Sequence, residues 1–438
     1  MPNLIRVLGV GVVASCVAML ALPSSAAPGF VNAGFAPAAK ASAAAGPSKL
    51  AELLARYDAM KPGRDRDALA LEIDRFAGQR YATVSRLFWY TSLDDAKAAA
   101  AARHQPILHL RMLGRLDEDL SCANSRFFRT TLYANTETSK FLRENFVLYW
   151  SSERPVPRVT IDFGDGRKLE RTTTGNSAHY VMDERGNVLD VLPGLYAPLV
   201  FRTELAKSLE LAKSVRKLEG NALVDAVVAF HEAELRRSQT QFASVAGTAY
   251  VSGRGRLIGA GEIGAAALER AQQATYAKAA IEVVDLRRIG LAAGVIDPAD
   301  IAQWATIGQK VWNIGFGPPP SAPQRLPRQR DAVPAPMLLD AASIGLVEKL
   351  RAGNPLPMKS DALLARLEQA ILADTALNEF RLRQQIRYEL VASRNLSFVA
   401  LNEVIYASVF HTPKSDAWLG LLDNTDFTGL PADGVVMP

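Results

Sequence analysis

Apolar residues recur along the chain with periods that change from stretch to stretch, and the changes mark out its elements. Leu50, Leu53, Leu54 and Tyr57 fall at helical spacing behind Ser48, a residue type that caps helix N-termini. Leu69, Ile73 and Phe76 form a second apolar stripe that stops at Gly78. From Trp89 to about Lys217, helix-like and strand-like runs alternate, as they do in α/β units. Ser92-Leu93-Asp94-Asp95 starts an Ala-rich helix that ends near Arg103, and Pro106 to Leu113 alternates between turn residues as a strand does. Ser125 to Tyr133 and Thr136 to Asn145 read as two short helices, followed by a strand over Phe146-Val147-Leu148-Tyr149-Trp150. Ala178 to Met182 and Val188 to Val191 read as strands joined by a hairpin turn across Asp183-Glu184-Arg185-Gly186-Asn187. Pro198 then opens a helix with Phe201, Leu205 and Leu209 on one face.

The remaining chain is helix-forming. Leu223, Val227 and Phe230 begin a helical stretch over 221–312, which resumes after a Gly-rich break as a long Ala-rich helix near Ala265 to Ile289. Prolines with Ser, Gln and Arg concentrate over Gly315 to Pro336 and predict a linker. Leu364, Leu367, Ile371 and Leu372, then Leu401, Val404, Ile405, Val409 and Phe410, predict amphipathic helices of a small α domain.

The N-terminus changes this picture from a cytoplasmic to an exported one. Arg6 supplies a positive start, Val7 to Leu22 is almost wholly apolar, and Ser24-Ser25-Ala26-Ala27 offers small residues for cleavage, the pattern of a secretory signal. Val13-Ala14-Ser15-Cys16 also fits a lipoprotein cleavage and acylation site, so anchoring through Cys16 is the alternative to soluble export into the periplasm or medium. The expected organisation is therefore a signal peptide over 1–26, a flexible Ala/Gly/Pro spacer over 27–47 and a helical extension over 48–85. An α/β domain over 86–217 and a helical region over 218–314 follow. A Pro-rich linker over 315–337, a C-terminal helical domain over 338–425 and a tail over 426–438 complete it.

At 438 residues and 49% hydrophobic, the chain has enough apolar material for two or three cores. The excess of 50 Lys and Arg over 45 Asp and Glu is dispersed, which speaks for solubility and against nucleic acid as a partner. The chain has two cysteines, and either cleavage removes or acylates Cys16. Cys122 is then the one free thiol, and no intramolecular disulfide can form.

The order β-α-β, β-hairpin, closing helix is the order of the thioredoxin core. Trp89, the helix start Ser92-Leu93-Asp94-Asp95-Ala96, the run Lys140-Phe141-Leu142-Arg143-Glu144-Asn145-Phe146-Val147, Tyr180-Val181-Met182-Asp183 with Gly186, and Leu192-Pro193-Gly194-Leu195-Tyr196 carry the likeness. Over a quarter to a third of its length, the chain resembles the thioredoxin-like domain of exported bacterial proteins. Thr412-Pro413-Lys414-Ser415-Asp416-Ala417-Trp418-Leu419-Gly420-Leu421 resembles a recurrent end piece of such proteins.

The resemblance places Cys122, in Ser121-Cys122-Ala123-Asn124-Ser125, at the attacking position of a dithiol motif, and Ser125 where the resolving thiol would stand. It is a monothiol Cys-x-x-Ser variant. It also places Ser177, within Gly175-Asn176-Ser177, where the family carries a cis-proline. Without proline a cis bond costs about 2.5 to 4 kcal/mol, so a trans loop is expected there. Arg126 and Arg129 favour a thiolate at Cys122 whereas Asp117, Glu118 and Asp119 oppose it, and Arg126 and Asn176 are candidate binding residues. The alternative is that Cys122 is a small packing residue.

Other constellations are weaker. His109 and His179 lie in neighbouring strands and could approach across the sheet, yet zinc needs several convergent ligands, and isolated histidines are the better reading. No Gly-x-Ser-x-Gly elbow is present, and nothing in the spacing of Cys122, His109, His179 and Asp183 argues for a triad. Gly253-Arg254-Gly255-Arg256-Leu257-Ile258-Gly259 lacks both the dinucleotide spacing and the Lys-Ser/Thr of a phosphate loop. Asp162 to Lys168 reads as a hairpin turn rather than a calcium loop. No metal or cofactor is implied. Two functions follow from the sequence. One is a non-cycling module of the cell envelope that binds a protein or peptide. The other is monothiol exchange in which Cys122 forms a mixed disulfide with a protein or a thiol-containing peptide, to be resolved by an external thiol.

Overall fold

A computed structural model describes residues 46–172, 175–246, 304–312, 338–355, 360–419 and 430–437. The expected signal, most of the spacer, the Ala265–Ile289 helix, the Gly253–Gly259 loop and the 315–336 linker lie outside the described residues. Those described fall within one compact unit, Lys40–Pro438.

Helix α1 (Gly46–Ala59) buries Leu50, Leu53 and Leu54, and α2 (Arg64–Ala77) buries Leu69 and Ile73 against them. Ser48 lies inside the first turn of α1 rather than at its cap, because Pro47, whose fixed φ suits that turn, lets the helix begin at Gly46. Gly78 ends α2 at φ 69°, and a Cβ there would sit 2.7 Å from the Trp89 carbonyl oxygen. A short turn, α3 (Ala82–Ser85), leads to α4 (Leu93–Arg103), where the Ser92 side chain accepts a hydrogen bond from the Asp95 N–H as the sequence predicts.

The sheet holds β1 (Ile107–Met112), β2 (Val147–Ser152), β5 (Ala178–Met182) and β6 (Val188–Pro193) in the order β2-β1-β5-β6. β1 and β2 are parallel, and β5 is antiparallel to both β1 and β6. α5 (Ala123–Phe127), continued by a π-helical turn over Phe128–Leu132, and α6 (Thr136–Asn145) connect β1 to β2. A separate two-stranded ribbon, β3 (Arg158–Asp162) and β4 (Lys168–Thr172), occupies the connection from β2 towards β5, and Gly164 and Gly166 take positive φ in its turn. α7 (Pro198–Val215) and α8 (Gly220–Ala246) follow β6.

Pairing of His179 with Leu110, and of His109 with Tyr180, sets the two faces of the sheet. On the first face, His179 meets Phe128 and Phe201 at ring-centroid distances of 4.7 and 4.9 Å. The second face has no helix from the β2–β5 connection, and a late segment covers it instead. Phe398, opening α12 (Phe398–Val404), packs on His109 at 4.5 Å and on Tyr180 at 5.0 Å. Asn402 of the same helix accepts from the Tyr180 hydroxyl (3.0 Å) and donates to Glu153 (2.9 Å).

Further helices are α9 (Ala341–Arg351), α10 (Ser360–Leu377) and α11 (Arg383–Ser393). A π-turn over Asn378–Leu382 joins α10 to α11, and another over Ile405–Val409 follows α12. Helices read from the sequence as a C-terminal domain therefore share one hydrophobic core with the sheet: Ile371, Phe380, Ile386, Leu401 and Phe410 belong to the cluster that holds Leu108, Tyr180 and Leu189. Both sheet edges are covered too. Tyr90 bridges the outer side of β2 through Leu148 and Trp150, while the Leu189 carbonyl of β6 accepts from His231, and the Val188 N–H donates to Leu396.

The apolar run of β6 contains one charge, Asp190, which is fully buried and so requires a partner. Arg383 supplies it, donating at 2.7 Å to Asp190, 2.7 Å to Glu204 and 2.8 Å to Glu379. Around this centre Arg387 lies 3.4 Å from both Glu234 and Glu379, while Arg237 pairs with Glu234 at 2.5 Å and Lys207 with Glu204 at 2.5 Å. Four cations thus face four carboxylates. Burial pushes the Asp190 carboxyl up, but Arg383, His231 and Arg387 outweigh it and hold the group well below the usual carboxylate range. Glu204 is likewise lowered against the effect of its burial, chiefly by Arg383 and Lys207. Removing Arg383 leaves three buried carboxylates short of charge. We expect Arg383→Met to lose about 3–5 kcal/mol of unfolding free energy in urea titrations at pH 7, with Asp190→Asn costing less because the central cation keeps two partners.

Candidate functional site

Cys122, Asn124, Ser125, Gly175, Asn176 and Ser177 meet at the end of the sheet where β1 and β2 finish and β5 begins. Cys122 stands at the N-cap of α5, fully buried, and its N–H donates to the Leu113 carbonyl at 3.2 Å. The Ser125 hydroxyl donates to the Cys122 carbonyl (2.8 Å) and meets the Ser121 hydroxyl at 2.6 Å. Both contacts hold the hydroxyl within the first turn of α5. The Asn124 side-chain amide donates to the Gly175 carbonyl, which ties the Gly175–Ser177 loop to the start of α5, and the Thr172 hydroxyl donates to the Ser121 carbonyl at 3.0 Å. Every described peptide bond is trans, including those of this loop.

The charges around Cys122 are arranged differently from what their order in the sequence implies. Asp119 is held by Arg80 at 2.9 Å and by the Tyr81 hydroxyl at 3.1 Å. Asp117 pairs with Arg115 at 2.6 Å, and Glu118 with Arg158 at 3.2 Å. The acids upstream of the thiol are thus neutralised locally. Arg129 lies buried beside the thiol. Its guanidinium donates to the carbonyls of Leu116 (3.0 Å), Glu118 and Asp119 (3.3 Å) and to the Ser121 hydroxyl (3.0 Å). Burial lowers its pKa to about 10, against the opposing fields of Tyr81, Asp119 and Cys122. Arg126, the other candidate, is half-buried on α5, where its N–H donates to the Cys122 carbonyl at 3.1 Å.

Asn176 is engaged by a part of the chain that no spacing rule connects to it. Its side-chain amide donates to the Thr412 hydroxyl (3.0 Å) and to the Phe410 carbonyl (3.5 Å), and its own carbonyl accepts from the Tyr406 hydroxyl (3.3 Å). Arg154, just past β2, donates to the carbonyls of Thr412 (2.7 Å), Pro413 (3.0 Å) and Asp416 (2.9 Å). Sequence reasoning missed Arg154 and Tyr406. Neither lies in a motif, and only Thr412-Pro413 stood out, as an end piece without a stated role.

The two strand histidines do not converge. His109 shares a 2.7 Å hydrogen bond with the Ser151 hydroxyl on the second face, and His179 shares one of 2.6 Å with the Tyr133 hydroxyl on the first. Among the described residues, no group of three or more His, Cys, Asp or Glu side chains could hold a metal ion, and no helix is long and apolar enough to cross a membrane.

No family model, curated protein or solved structure matches the chain. The site is therefore read from its own chemistry. It has one buried thiol, a buried guanidinium beside it, and a loop whose polar groups grip a distant piece of main chain.

The buried histidines give this fold a pH dependence. Burial pushes the His179 imidazole down to about 3 and drives His109 well below its ordinary value; His231 is also lowered by burial, against the pull of Asp190. Each binds a proton in the unfolded chain below about pH 6.5 and not in the folded one, so its stabilising contribution is complete above that pH and lost as pH falls towards the folded value. Urea titrations are expected to show little change from pH 7.5 to about pH 6.5 and, below that, stability falling by up to about 1.4 kcal/mol per pH unit for His179 and again for His109, with His231 adding to the fall. His179→Gln should make the slope shallower by about one proton; an unchanged slope contradicts this assignment.

Proposed function

We propose that this chain is an exported protein of thioredoxin-like fold that acts as a non-cycling protein- or peptide-binding module of the cell envelope. The strand order β2-β1-β5-β6, with α5 opening at Cys122 and α7 closing after the hairpin, supports the thioredoxin-like reading. The apolar N-terminal run and the small residues before Ala27 support export. Export places the module in the periplasm or outside the cell, or at a membrane if Cys16 is acylated.

The observation that carries the binding reading is the state of Cys122. Its thiol is fully buried, and the hydroxyl at the resolving position is committed to the backbone and to Ser121. A thiol that attacks a disulfide needs access and a partner to release the adduct. The second reading, monothiol exchange, rests on the place of Cys122 at the N-cap of α5.

Capture from an oxidised envelope extract, analysed on non-reducing gels with wild type and Cys122→Ala, separates the two. We expect the same partners with both chains. Adducts present with wild type and lost with Cys122→Ala would overturn the binding reading in favour of monothiol exchange.

A further inference from the structure

The β3–β4 ribbon stands apart from the main sheet. Among the described residues its two strands pair only with each other, and no residue of β3 is buried. The root of β4 is anchored, because Thr172 is buried and its hydroxyl donates to the Ser121 carbonyl. A two-stranded ribbon left on its own is marginal in water, and an open edge is a template for another strand.

The alternation of the ladder determines what the edge of β3 offers. The Phe163 N–H donates to the Arg167 carbonyl at 3.1 Å, and hydrogen-bonded pairs alternate along an antiparallel ladder. The main-chain groups of Val159, Ile161 and Phe163 therefore face β4, and those of Arg158, Thr160 and Asp162 point outwards. All three outward residues are exposed, while Val159, Ile161 and Leu169 lie half-buried on one face and Phe163 at the tip is 56% exposed.

This edge is complementary to itself. With two copies antiparallel about Thr160, Arg158 stands opposite the second copy's Asp162, Asp162 opposite its Arg158, and Val159 opposite its Ile161. No other centre on β3 sets its opposite charges face to face. Phe163 then falls opposite Pro157 at a non-hydrogen-bonded position, where the missing N–H of proline is not needed and side chains come closest. We propose that the β3 edge is a homodimer interface, in which two copies of this chain join through β3, about a two-fold axis at Thr160, into one four-stranded antiparallel sheet. A two-fold axis is the commonest symmetry of self-association. Within one copy Arg158 lies 3.2 Å from Glu118 and Asp162 3.1 Å from Lys168, exposed pairs that solvent screens and that leave both charges open to a second partner. The contact is small, so the dimer is weak and concentration-dependent. The proposal goes beyond the binding-module reading and does not rest on it.

The test places cysteines along the edge of the full chain and oxidises them with copper phenanthroline, with each linkage identified by peptide mass mapping so that Cys16 and Cys122 are counted separately. The Cα atoms of a hydrogen-bonded antiparallel pair lie about 5.5 Å apart, within disulfide reach. Thr160→Cys should therefore give a 160–160 linked dimer. Arg158→Cys alone should not, since its counterpart is displaced by about 13 Å along the strands, but a mixture of Arg158→Cys and Asp162→Cys should give the 158–162 linkage. Glu170→Cys, on the β4 edge, should stay monomeric. In sedimentation velocity, wild type should dimerise reversibly as its concentration rises. Asp162→Arg should weaken association at least ~10-fold by creating two like-charge pairs, and Arg158→Asp combined with Asp162→Arg in one chain should restore it. If a cysteine variant melts early, these charge variants decide. A wild type that stays monomeric up to its solubility limit overturns the interface. So do linkages formed as readily by Arg158→Cys alone or Glu170→Cys as by Thr160→Cys, or a double exchange that fails to restore what Asp162→Arg loses.

Discussion

The contact on which the architecture depends is the buried Arg383 guanidinium, which joins Asp190 of the sheet edge, Glu204 of α7 and Glu379 of the π-turn ahead of α11. An uncompensated carboxylate inside a fully buried strand is too costly to persist, so Asp190 obliges a cation from elsewhere in the chain to come to it. That cation is 193 positions away. It brings α10 and α11 onto the same face as α7, and Arg387, Glu234 and Arg237 extend the pairing to α8. Such pairs contribute little net stability beside an apolar alternative, and their value lies in specifying which helices meet. With α11 fixed, Leu396 reaches the β6 edge and α12 crosses the face left open by the β2–β5 connection.

From there the chain has one route, over the end of the sheet. The π-turn after α12 ends with Thr412 donating to Tyr406, and the residues beyond it fall against Asn176 and Arg154. The same order of packing that completes the core therefore also closes the Cys122 end. Cys122 belongs to the same buried cluster as Leu401, Tyr406 and Phe410.

The local elements were legible because their signals are local. The Ser92 cap, the αL stop at Gly78, the Pro198 helix start and the 178–193 hairpin each arise from chemistry within a few residues. The meeting of the Gly175–Ser177 loop with the start of α5 spans 51 positions, and its expectation came from the family resemblance rather than from local chemistry. The relation between the halves was not legible. Hydrophobic spacing in α10 to α12 indicates amphipathic helices but not what covers their apolar faces, so a separate small domain was the natural expectation. Asp190 within Val188-Leu189-Asp190-Val191-Leu192 was the available clue, since a charge in a buried strand implies a distant partner without naming it. The acids before Cys122 show the converse limit: three carboxylates in sequence look like a negative field, yet Arg80, Arg115 and Arg158 cancel them in space.

Native-state hydrogen exchange in rising denaturant tests most directly whether the late helices are part of the sheet's own core. Amides of β5, β6, α10 and α11 are then expected to lose protection together, with one free energy and one denaturant dependence. Loss of α10 and α11 protection while β1, β5 and β6 stay closed would contradict the account.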